Sequence, residues 1–575
     1  MSQQIEMDNL NATKKNRTFD AIVIGSGISG GWAAKELTQN GLQTLLLERG
    51  HDVKHIVDYP TTMKEPWEFE HRGQVPLHIK DEYKIASKNY IFDETTAHFL
   101  TKDAEQPYIQ DRPYDWIRAY HVGGRSLLWG RQTQRWSDFD FEGPARDGFA
   151  TDWPIRYADL APWYAHVEKF AGISGNRDGL NTLPDGEFLP PHEMTCVEKH
   201  FKEKLSEKYS DRHFIIGRVA HLTKPEKIHL DQGRGSCVNR DLCQRGCPYG
   251  GYFSSNASTI PWAMKTGKLT LRPHSVAHSI IFDEKKNKAI GVRVVDAQTK
   301  ETIEFYAKII FVNASALGSN LILLNSKSHR FPNGLGNDNG LLGKYMAFHN
   351  FRGRITATSE DFMDFKTEGK RPNGCFIPRF RNVYKQETDF LRGYAAQFFT
   401  SRDAHSHEEG IGETLKNSLT HRELGPWQIN SNMMGETIPK ETSTVRLDDH
   451  AVDPYGIPQL RISVGYDDND EKIIKDFNEQ FTEMFEHAGF KNIKCIDRNR
   501  TPGNENHEMG GVRMGRDPKT SLLNSWNQMH GCKNVFVTDG ACMTSTSTQN
   551  PSLTYMALTA RAANFAVKEL KNKNL

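Results

Sequence analysis

The fold is decided by Phe19-Asp-Ala-Ile-Val-Ile-Gly25-Ser-Gly27-Ile-Ser-Gly30-Gly31-Trp-Ala-Ala-Lys-Glu-Leu37, followed by Thr44-Leu-Leu-Leu-Glu48-Arg49-Gly50. An apolar strand, a glycine turn, a helix and a second apolar strand follow one another, as in a dinucleotide-binding βαβ unit. Gly25 allows the tight turn, Gly27 lets the backbone approach a pyrophosphate, and Gly30 lets helix and strand pack closely. Glu48, eighteen residues after Gly30, is placed to bind a ribose hydroxyl pair. The stretch predicts a dinucleotide at the N-terminus of this helix.

Length and charge limit the class of protein. A chain of 575 residues can bury a large core and suggests two or more domains. Its 73 Lys and Arg nearly balance 72 Asp and Glu, which argues against nucleic acid as a partner. No run approaches the roughly 18 apolar residues of a membrane helix, so no transmembrane segment is expected. Residues 1–18 are polar, which predicts no signal peptide on this chain, and residues 1–14 are expected to be a loose tail.

Strand-like runs lie far apart along the chain. The block 340–495 alternates apolar and polar residues and predicts an antiparallel sheet, followed by a helix at 467–488. A last helix is expected from about 552 to 571. The spacing predicts a nucleotide-binding domain built from separate segments, with a second domain inserted between them. The strands expected in that first domain are 20–24, 43–47, 269–272, 276–281, 289–295, 303–312 and 533–538.

Several motifs carry a family resemblance together. They are His507-Glu-Met-Gly-Gly-Val-Arg-Met-Gly515, Val535-Phe-Val-Thr-Asp539-Gly540-Ala541, Gln549-Asn550-Pro551-Ser552, Val122-Gly123-Gly124-Arg-Ser126, Trp153-Pro-Ile-Arg-Tyr-Ala-Asp-Leu160, Val312-Asn-Ala314-Ser and Gly343-Lys-Tyr-Met-Ala-Phe-His349. In this order the chain resembles the glucose–methanol–choline (GMC) family of FAD-dependent oxidoreductases over its whole length. The Asp539 and Asn550 motifs have no role in a nicotinamide site, so FAD is favoured over NAD.

The resemblance implies an α/β fold (α+β overall). A discontinuous Rossmann-like FAD-binding domain is expected at 15–60, 105–135, 210–335 and 500–575. A substrate-binding domain, with a mainly antiparallel sheet covered by helices, is expected at 61–104, 136–209 and 336–499.

The resemblance also implies the site residues. His507 matches the histidine beside flavin N5, and Asn550 the second member of the catalytic pair. A histidine suits removal of the hydroxyl proton because its pKa lies near the operating pH. Asn550-Pro551 opens the last helix, whose positive end would face the flavin. The residues expected to bind the cofactor are Gly25, Gly27, Gly30, Glu48, Arg49, Gly123, Gly124, Ser126, Val276, Ala314, Asp539, Gly540 and Pro551.

Relatives that link FAD covalently carry a histidine two residues after the position of Ser126. That position is Leu128 in this chain, so the flavin is expected to be bound non-covalently.

Cys237, Cys243 and Cys247 form a C-x5-C-x3-C cluster. An odd number of close thiols suits a soft metal better than a disulfide set. The arrangement is similar to FAD-dependent sugar dehydrogenase subunits that hold a [3Fe-4S] cluster. Free or partly disulfide-bonded cysteines, and zinc with His229 as fourth ligand, remain open alternatives.

The resemblance is strongest to sugar dehydrogenases, including bacterial glucoside 3-dehydrogenases. It implies oxidation of a secondary hydroxyl of a pyranose or glycoside, at C3, with electrons passed to an external acceptor. A dehydrogenase is favoured over an O₂-reducing oxidase, and a non-redox lyase of the same fold is a further alternative.

Related subunits suggest partners and a location. The implied partners are a mono- or oligosaccharide or glycoside substrate, a small chaperone-like subunit and a cytochrome c. The expected location is either the periplasm, by co-export with a partner subunit, or the cytoplasm.

Overall fold

The glycine-rich stretch lies at the centre of the first sheet. The structure is a computed structural model that describes residues 17–366, 369–402, 404–405, 411–420 and 423–575. The tail predicted for residues 1–14 lies outside these ranges. In sheet order, the strands are Leu269–Arg272, Thr44–Leu47, Thr18–Ile24, Thr302–Val312, Lys288–Asp296 and Ser275–Asp283, and Val535–Val537 also pairs with Thr302–Val312.

The central strands of this sheet are parallel and buried on both faces. Ile24 pairs with Leu47 on one side and with Val312 on the other. Alternate residues enter different cores, because Ala21 and Val23 pack in one apolar cluster and Ile22 and Ile24 in another. The first of these clusters includes Ala33 and Leu37 of the helix Ile28–Gln39 and Ala563 of the helix Ser552–Lys571. A near-continuous apolar run therefore forms a covered parallel strand.

The carboxyl ends of the parallel strands meet at one edge. Gly25 directly follows Thr18–Ile24, and Glu48 directly follows Thr44–Leu47. Ala314 comes two residues after Thr302–Val312, and Asp539 two residues after Val535–Val537. In an open α/β sheet, this edge is where a ligand binds.

A second sheet is antiparallel and has its own core. Ile473, Phe477 and Phe481 of the helix Asp468–His487 are buried against it. The prediction of an antiparallel sheet within 340–495 is confirmed in type. Its strands, in order, are Lys491–Asp497, Gly353–Ser359, Trp427–Glu436, Tyr394–Ser401, Cys375–Ile377 and Ile215–Ile216, with His349–Asn350 paired to Trp427–Glu436.

Two predicted strands of that block lie elsewhere. Thr444–Val452 and Pro458–Ser463 pair with each other and with Ile109–Gln110 in a separate three-stranded sheet. Smaller pairs join Lys344–Ala347 to Met509–Gly511 and Ala404–His405 to Glu423–Leu424.

The remaining α-helices cover the sheets and line the connections between them. Of the helices in the described residues, none has the length and apolar character needed to cross a membrane. Their bounds are Leu77–Glu82, Asp138–Phe141, Gly143–Arg146, Tyr157–Ala171, Cys196–Lys208, Lys227–Asp231, Thr259–Lys265, Ala316–Asn325 and Glu413–Thr420.

Candidate active site

The glycine loop forms one end of a long cavity at the carboxyl edge of the first sheet. Gly25 has φ +94°, and its N–H donates to the Leu47 carbonyl at 2.8 Å. The helix Ile28–Gln39 begins with Gly27 at its N-cap, without a side-chain cap, and Gly27 and Ile28 line the cavity. A Cβ on Gly27 would contact no protein atom within 4 Å. The helix terminus therefore offers free N–H groups and an open approach to an anion.

Glu48 lies in the same end of the cavity. One carboxylate oxygen accepts hydrogen bonds from the Ser26 hydroxyl and N–H, and the other accepts from the Gly50 N–H at 3.0 Å. Burial raises its pKa. Arg49 also lines the cavity, and its guanidinium lies over the ring of Tyr120 at 4.7 Å.

The predicted cofactor residues fall into two groups. Gly25, Gly27, Glu48, Arg49, Gly124, Ser126, Val276, Ala314, Asp539 and Gly540 line the cavity, as does Leu128. Gly30, Gly123 and Pro551 do not line it. A Cβ on Gly30 would lie 1.8 Å from the Gly25 carbonyl oxygen, and the Gly123 N–H donates to the Ser26 hydroxyl at 2.9 Å. Pro551 is the N-cap of the helix Ser552–Lys571 rather than its first residue.

These residues fit a flavin dinucleotide. Asp539 is buried, accepts from the Ser319 hydroxyl and from the Ala541 N–H, and burial raises its pKa to about 6. Several cavity residues carry buried polar atoms without a protein partner, among them the Asn313 amide oxygen and the Tyr555 hydroxyl. Buried polar atoms of this kind are normally satisfied, which indicates a polar ligand between the two ends of the cavity.

His507 and Asn550 line the far end of the same cavity and contact each other. The Nε2 of His507 lies 3.2 Å from the Nδ2 of Asn550. An amide NH₂ only donates, so His507 Nε2 accepts and carries no proton. Burial, with smaller effects from His349 and Arg125, lowers the pKa of His507 well below its ordinary value. His507 is therefore a neutral base near neutral pH.

His349 holds His507 in this tautomer. The Nε2 of His349 lies 2.6 Å from the Ser547 carbonyl oxygen, which only accepts, so His349 Nε2 carries the proton. Burial lowers the pKa of His349 to about 4, and its Nδ1 is therefore a free acceptor for the Nδ1 of His507 at 2.9 Å. The contacts fix the proton of His507 on Nδ1 and leave Nε2 basic. The sequence pointed to His349 only as the end of a family motif and gave it no role.

A buried charge network supports the Ser547 segment. The Ser547 hydroxyl donates to Asp140 at 3.0 Å, and Asp140 pairs with Arg379 at 3.0 Å. Arg379 also pairs with Glu436 at 2.9 Å, and Glu436 is the strand partner of His349. A buried network of hydrogen bonds and ion pairs thus supports the segment that His349 contacts.

Replacing His349 tests this arrangement. We expect His349→Phe to lower kcat at least about fivefold, since one hydrogen bond contributes about 1 kcal/mol. His349→Gln, whose amide oxygen accepts in place of Nδ1, should restore part of the loss. The measurement is kcat against pH for the three proteins, and equal profiles for wild type and His349→Phe would exclude the role.

The three clustered cysteines line a second, smaller cavity with His221. In the described part of the chain, no three His, Cys, Asp or Glu side chains are placed to hold a metal ion. The prediction of metal ligation by Cys237, Cys243 and Cys247 is therefore not supported. The Cys243 sulfur lies 3.7 Å from His221 Nε2, the Cys247 sulfur accepts from the Gly251 N–H, and all three thiols are free.

The thiol chemistry agrees with this result. Burial raises the pKa of Cys237 to about 11 and also raises that of Cys243, so both side chains are neutral thiols near pH 7. The residues as placed do not fit a [3Fe-4S] cluster. The zinc alternative also fails, because His229 Nδ1 accepts from the Glu226 N–H and its Nε2 contacts the Lys169 carbonyl.

The two cavities share a wall. Arg131 lines the larger cavity, and its guanidinium lies 4.2 Å from the ring centre of Tyr252, which lines the smaller one. None of the three clustered cysteines is among the described residues that line the larger cavity.

The chain is similar to known proteins over most of its length. Models of the GMC oxidoreductase family match residues 222–350 and 439–559. The chain is 29% identical to 2-methyl-1,2-propanediol dehydrogenase of Mycolicibacterium austroafricanum, over 95% of this chain and 94% of that protein. It is 25% identical to the fructose dehydrogenase large subunit of Gluconobacter japonicus, over 96% and 98%. It is 24% identical to 6'''-hydroxyparomomycin C oxidase of Streptomyces lividus, over 97% and 92%.

Solved structures show the same fold. Formate oxidase of Aspergillus oryzae matches with a TM-score of 0.58 at 13% identity, over 97% of this chain and 99% of that one. Pyridoxine 4-oxidase matches with a TM-score of 0.58 at 15% identity, over 95% and 98%. With the glycine loop, the histidine pair and both family models in agreement, the chain belongs to the GMC oxidoreductase family, as an FAD-dependent enzyme that acts on CH–OH groups.

Proposed function

We propose that the protein is a dehydrogenase that oxidises a secondary hydroxyl of a pyranose or glycoside, at C3, to a ketone. The observation that carries the proposal is the unprotonated Nε2 of His507, 3.2 Å from Asn550, in the cavity that the glycine loop also lines. Polar side chains that line the same cavity, among them Gln132, Arg131 and Asn506, suit a ligand rich in hydroxyl groups. The named activities of relatives on fructose and on an aminoglycoside support a sugar as substrate.

The chain's own residues account for the proton and for orientation. His507 Nε2 accepts the substrate hydroxyl proton, and His349 stabilises the imidazolium that results by accepting from its Nδ1–H. Asn550 holds the hydroxyl oxygen without adding charge. Bound FAD would accept the hydride that leaves the carbon carrying this hydroxyl group. Because Leu128 stands where a linking histidine would be, we propose that FAD is held non-covalently.

Because the pKa of His507 lies well below 6.5, His507 stays unprotonated at pH values where an exposed histidine is largely charged. Activity should therefore persist into mildly acidic solution and fall only when the pH approaches that lowered value.

The direct test is anaerobic mixing of the holoenzyme with a panel of hexoses and methyl glucosides. We expect loss of the oxidised flavin absorbance and a 3-keto product. Flavin that stays oxidised with every sugar would favour the lyase alternative.

The electron acceptor is a second part of the proposal. We propose an external acceptor, such as a cytochrome c, with a small partner subunit and export to the periplasm alongside it. The large-subunit name of one relative supports partner subunits. Turnover with ferricyanide should exceed turnover in air, and hydrogen peroxide formed at a comparable rate would favour the oxidase alternative.

The thiol cavity gives a separate prediction. Cys243→Ser should leave the rate of anaerobic flavin reduction by sugar unchanged, because Cys243 does not line the cavity of His507 and Asn550. Stopped-flow absorbance of the variant and wild type checks this. A slower reductive step would mean that the thiol cavity shapes the active site.

A further inference from the structure

Several buried polar atoms beside the catalytic histidine have no hydrogen-bond partner in the protein. They belong to a short loop and to one tyrosine that faces it. The atoms are Glu505 Oε1, Asn506 Oδ1, Arg500 Nη1 and the Tyr466 hydroxyl. Native proteins leave few such atoms unsatisfied, so a concentration of them points to a ligand or ordered water.

Their position connects them to the reaction. Glu505 and Asn506 line the same cavity as His507 and directly precede it in the chain. Arg500 and Tyr466 both interact electrostatically with the Glu505 carboxyl group. The loop is fixed, because the Asn506 N–H donates to the Gly503 carbonyl at 3.0 Å and the Asn504 carbonyl accepts from Asn89. The loop therefore holds its polar groups in place before a ligand binds. Glu505, Asn506 and Arg500, together with Tyr466, are named here the 500–506 loop site.

We propose that Glu505, with Asn506, binds the hydroxyl group next to the one that is oxidised, so that the substrate is a cyclic vicinal diol. The inference rests on the proposed function and adds the structural feature by which the enzyme selects its substrate. A hydroxyl both donates and accepts, and the loop site offers acceptors on Glu505 and Asn506. A mono-alcohol would leave these atoms unsatisfied, which is the strongest way for a polar site to reject an analogue.

The charge state of Glu505 suits this role. Its pKa is raised to about 8, chiefly by burial. The nearby Glu508 also raises the pKa, whereas Arg500 and the backbone N–H groups of Glu505 and Gly503 lower it by less than burial raises it. Tyr466 and Tyr114 are the other titratable groups that interact with it. Near pH 7 the carboxyl group is protonated, so it donates through O–H and accepts through C=O without placing a charge beside His507.

The test compares substrates that differ by one hydroxyl. The holoenzyme and its Glu505→Leu variant are assayed with methyl β-D-glucopyranoside and with its 2-deoxy and 4-deoxy analogues. We expect wild type to prefer the parent over at least one analogue by about tenfold or more in kcat/KM, and Glu505→Leu to lose that preference. Glu479→Gln, an exposed substitution on the helix Asp468–His487, is the control and should keep it.

A second variant covers the case in which Glu505→Leu does not fold. Glu505→Gln preserves shape and mimics the neutral carboxyl, so it should keep activity near pH 7. Above about pH 8 the wild-type Glu505 carboxyl group ionises and loses its hydrogen-bond donor, so kcat/KM should fall there, and this fall should be absent in Glu505→Gln. An unchanged substrate preference in Glu505→Leu, or the same change near pH 8 in Glu505→Gln, would overturn the inference while the proposed function stands. A wild-type enzyme that oxidises no glucoside would instead overturn the proposed function and this inference with it.

Discussion

His507→Ala should lower turnover by about 10²–10⁴-fold, the range for loss of a general base. His507 Nε2 is the unprotonated nitrogen of the pair, and Asn550 Nδ2 cannot replace it because an amide NH₂ only donates. FAD should stay bound, since this substitution leaves the glycine loop, Glu48 and Asp539 unchanged. The measurements are steady-state turnover with ferricyanide and the ratio of flavin to protein absorbance.

Asn550→Ala is the matched control for this variant. It removes the neighbour that orients the substrate hydroxyl but leaves the base, so its loss should be smaller than that of His507→Ala. Activity that persists in His507→Ala, or loss of FAD from it, would show that the histidine is not the base.

The second large effect concerns substitutions at two glycines of one loop, which should have different consequences for stability and FAD binding. In Gly30→Ala the new Cβ would lie 1.8 Å from the Gly25 carbonyl oxygen, so the turn must move. Such overpacking costs about 1–3 kcal/mol of unfolding free energy. We expect a lower unfolding temperature even without FAD, as well as loss of FAD.

Gly27→Ala should leave the stability of the apoprotein nearly unchanged but weaken FAD binding. Its Cβ contacts no protein atom within 4 Å, so the unfolding free energy of the apoprotein should change by less than about 0.5 kcal/mol. FAD retention on gel filtration should nevertheless fall, because the Cβ occupies space that the pyrophosphate needs. Full FAD retention in Gly27→Ala would contradict the placement of the dinucleotide at this helix terminus.

Much of the first sheet could be predicted from the sequence because its signals are local. The strand before Gly25 and the strand before Glu48 are short apolar runs bounded by turns, and both form as expected. The helix predicted for 467–488 also forms, as Asp468–His487 with Asp467 as its N-cap.

What the sequence could not predict depends on distant partners. Thr444–Val452 has the alternation of the large sheet, yet it belongs to a small sheet completed by Ile109–Gln110, more than 300 residues earlier. The same holds in the active site. His507 and Asn550 followed from motifs, whereas the contact of His349 with His507 and Ser547 is a property of three separate segments.

The thiol cluster is a case in which spacing predicted more than the placed side chains support. Spacing alone predicted a metal site at Cys237, Cys243 and Cys247, but side-chain direction and burial decide whether thiols converge on one point. Here they line a common cavity without forming a ligand set. The extents of the two domains stay a prediction.

The most direct test of the account is the first anaerobic turnover of wild-type holoenzyme with methyl β-D-glucopyranoside, followed by flavin absorbance and by NMR of the product. The account predicts that the flavin absorbance bleaches in one phase whose rate depends on sugar concentration, and that one equivalent of 3-keto glucoside forms. Unchanged flavin absorbance, or product without flavin reduction, would contradict the claim that a sugar hydroxyl is oxidised between His507 and the flavin.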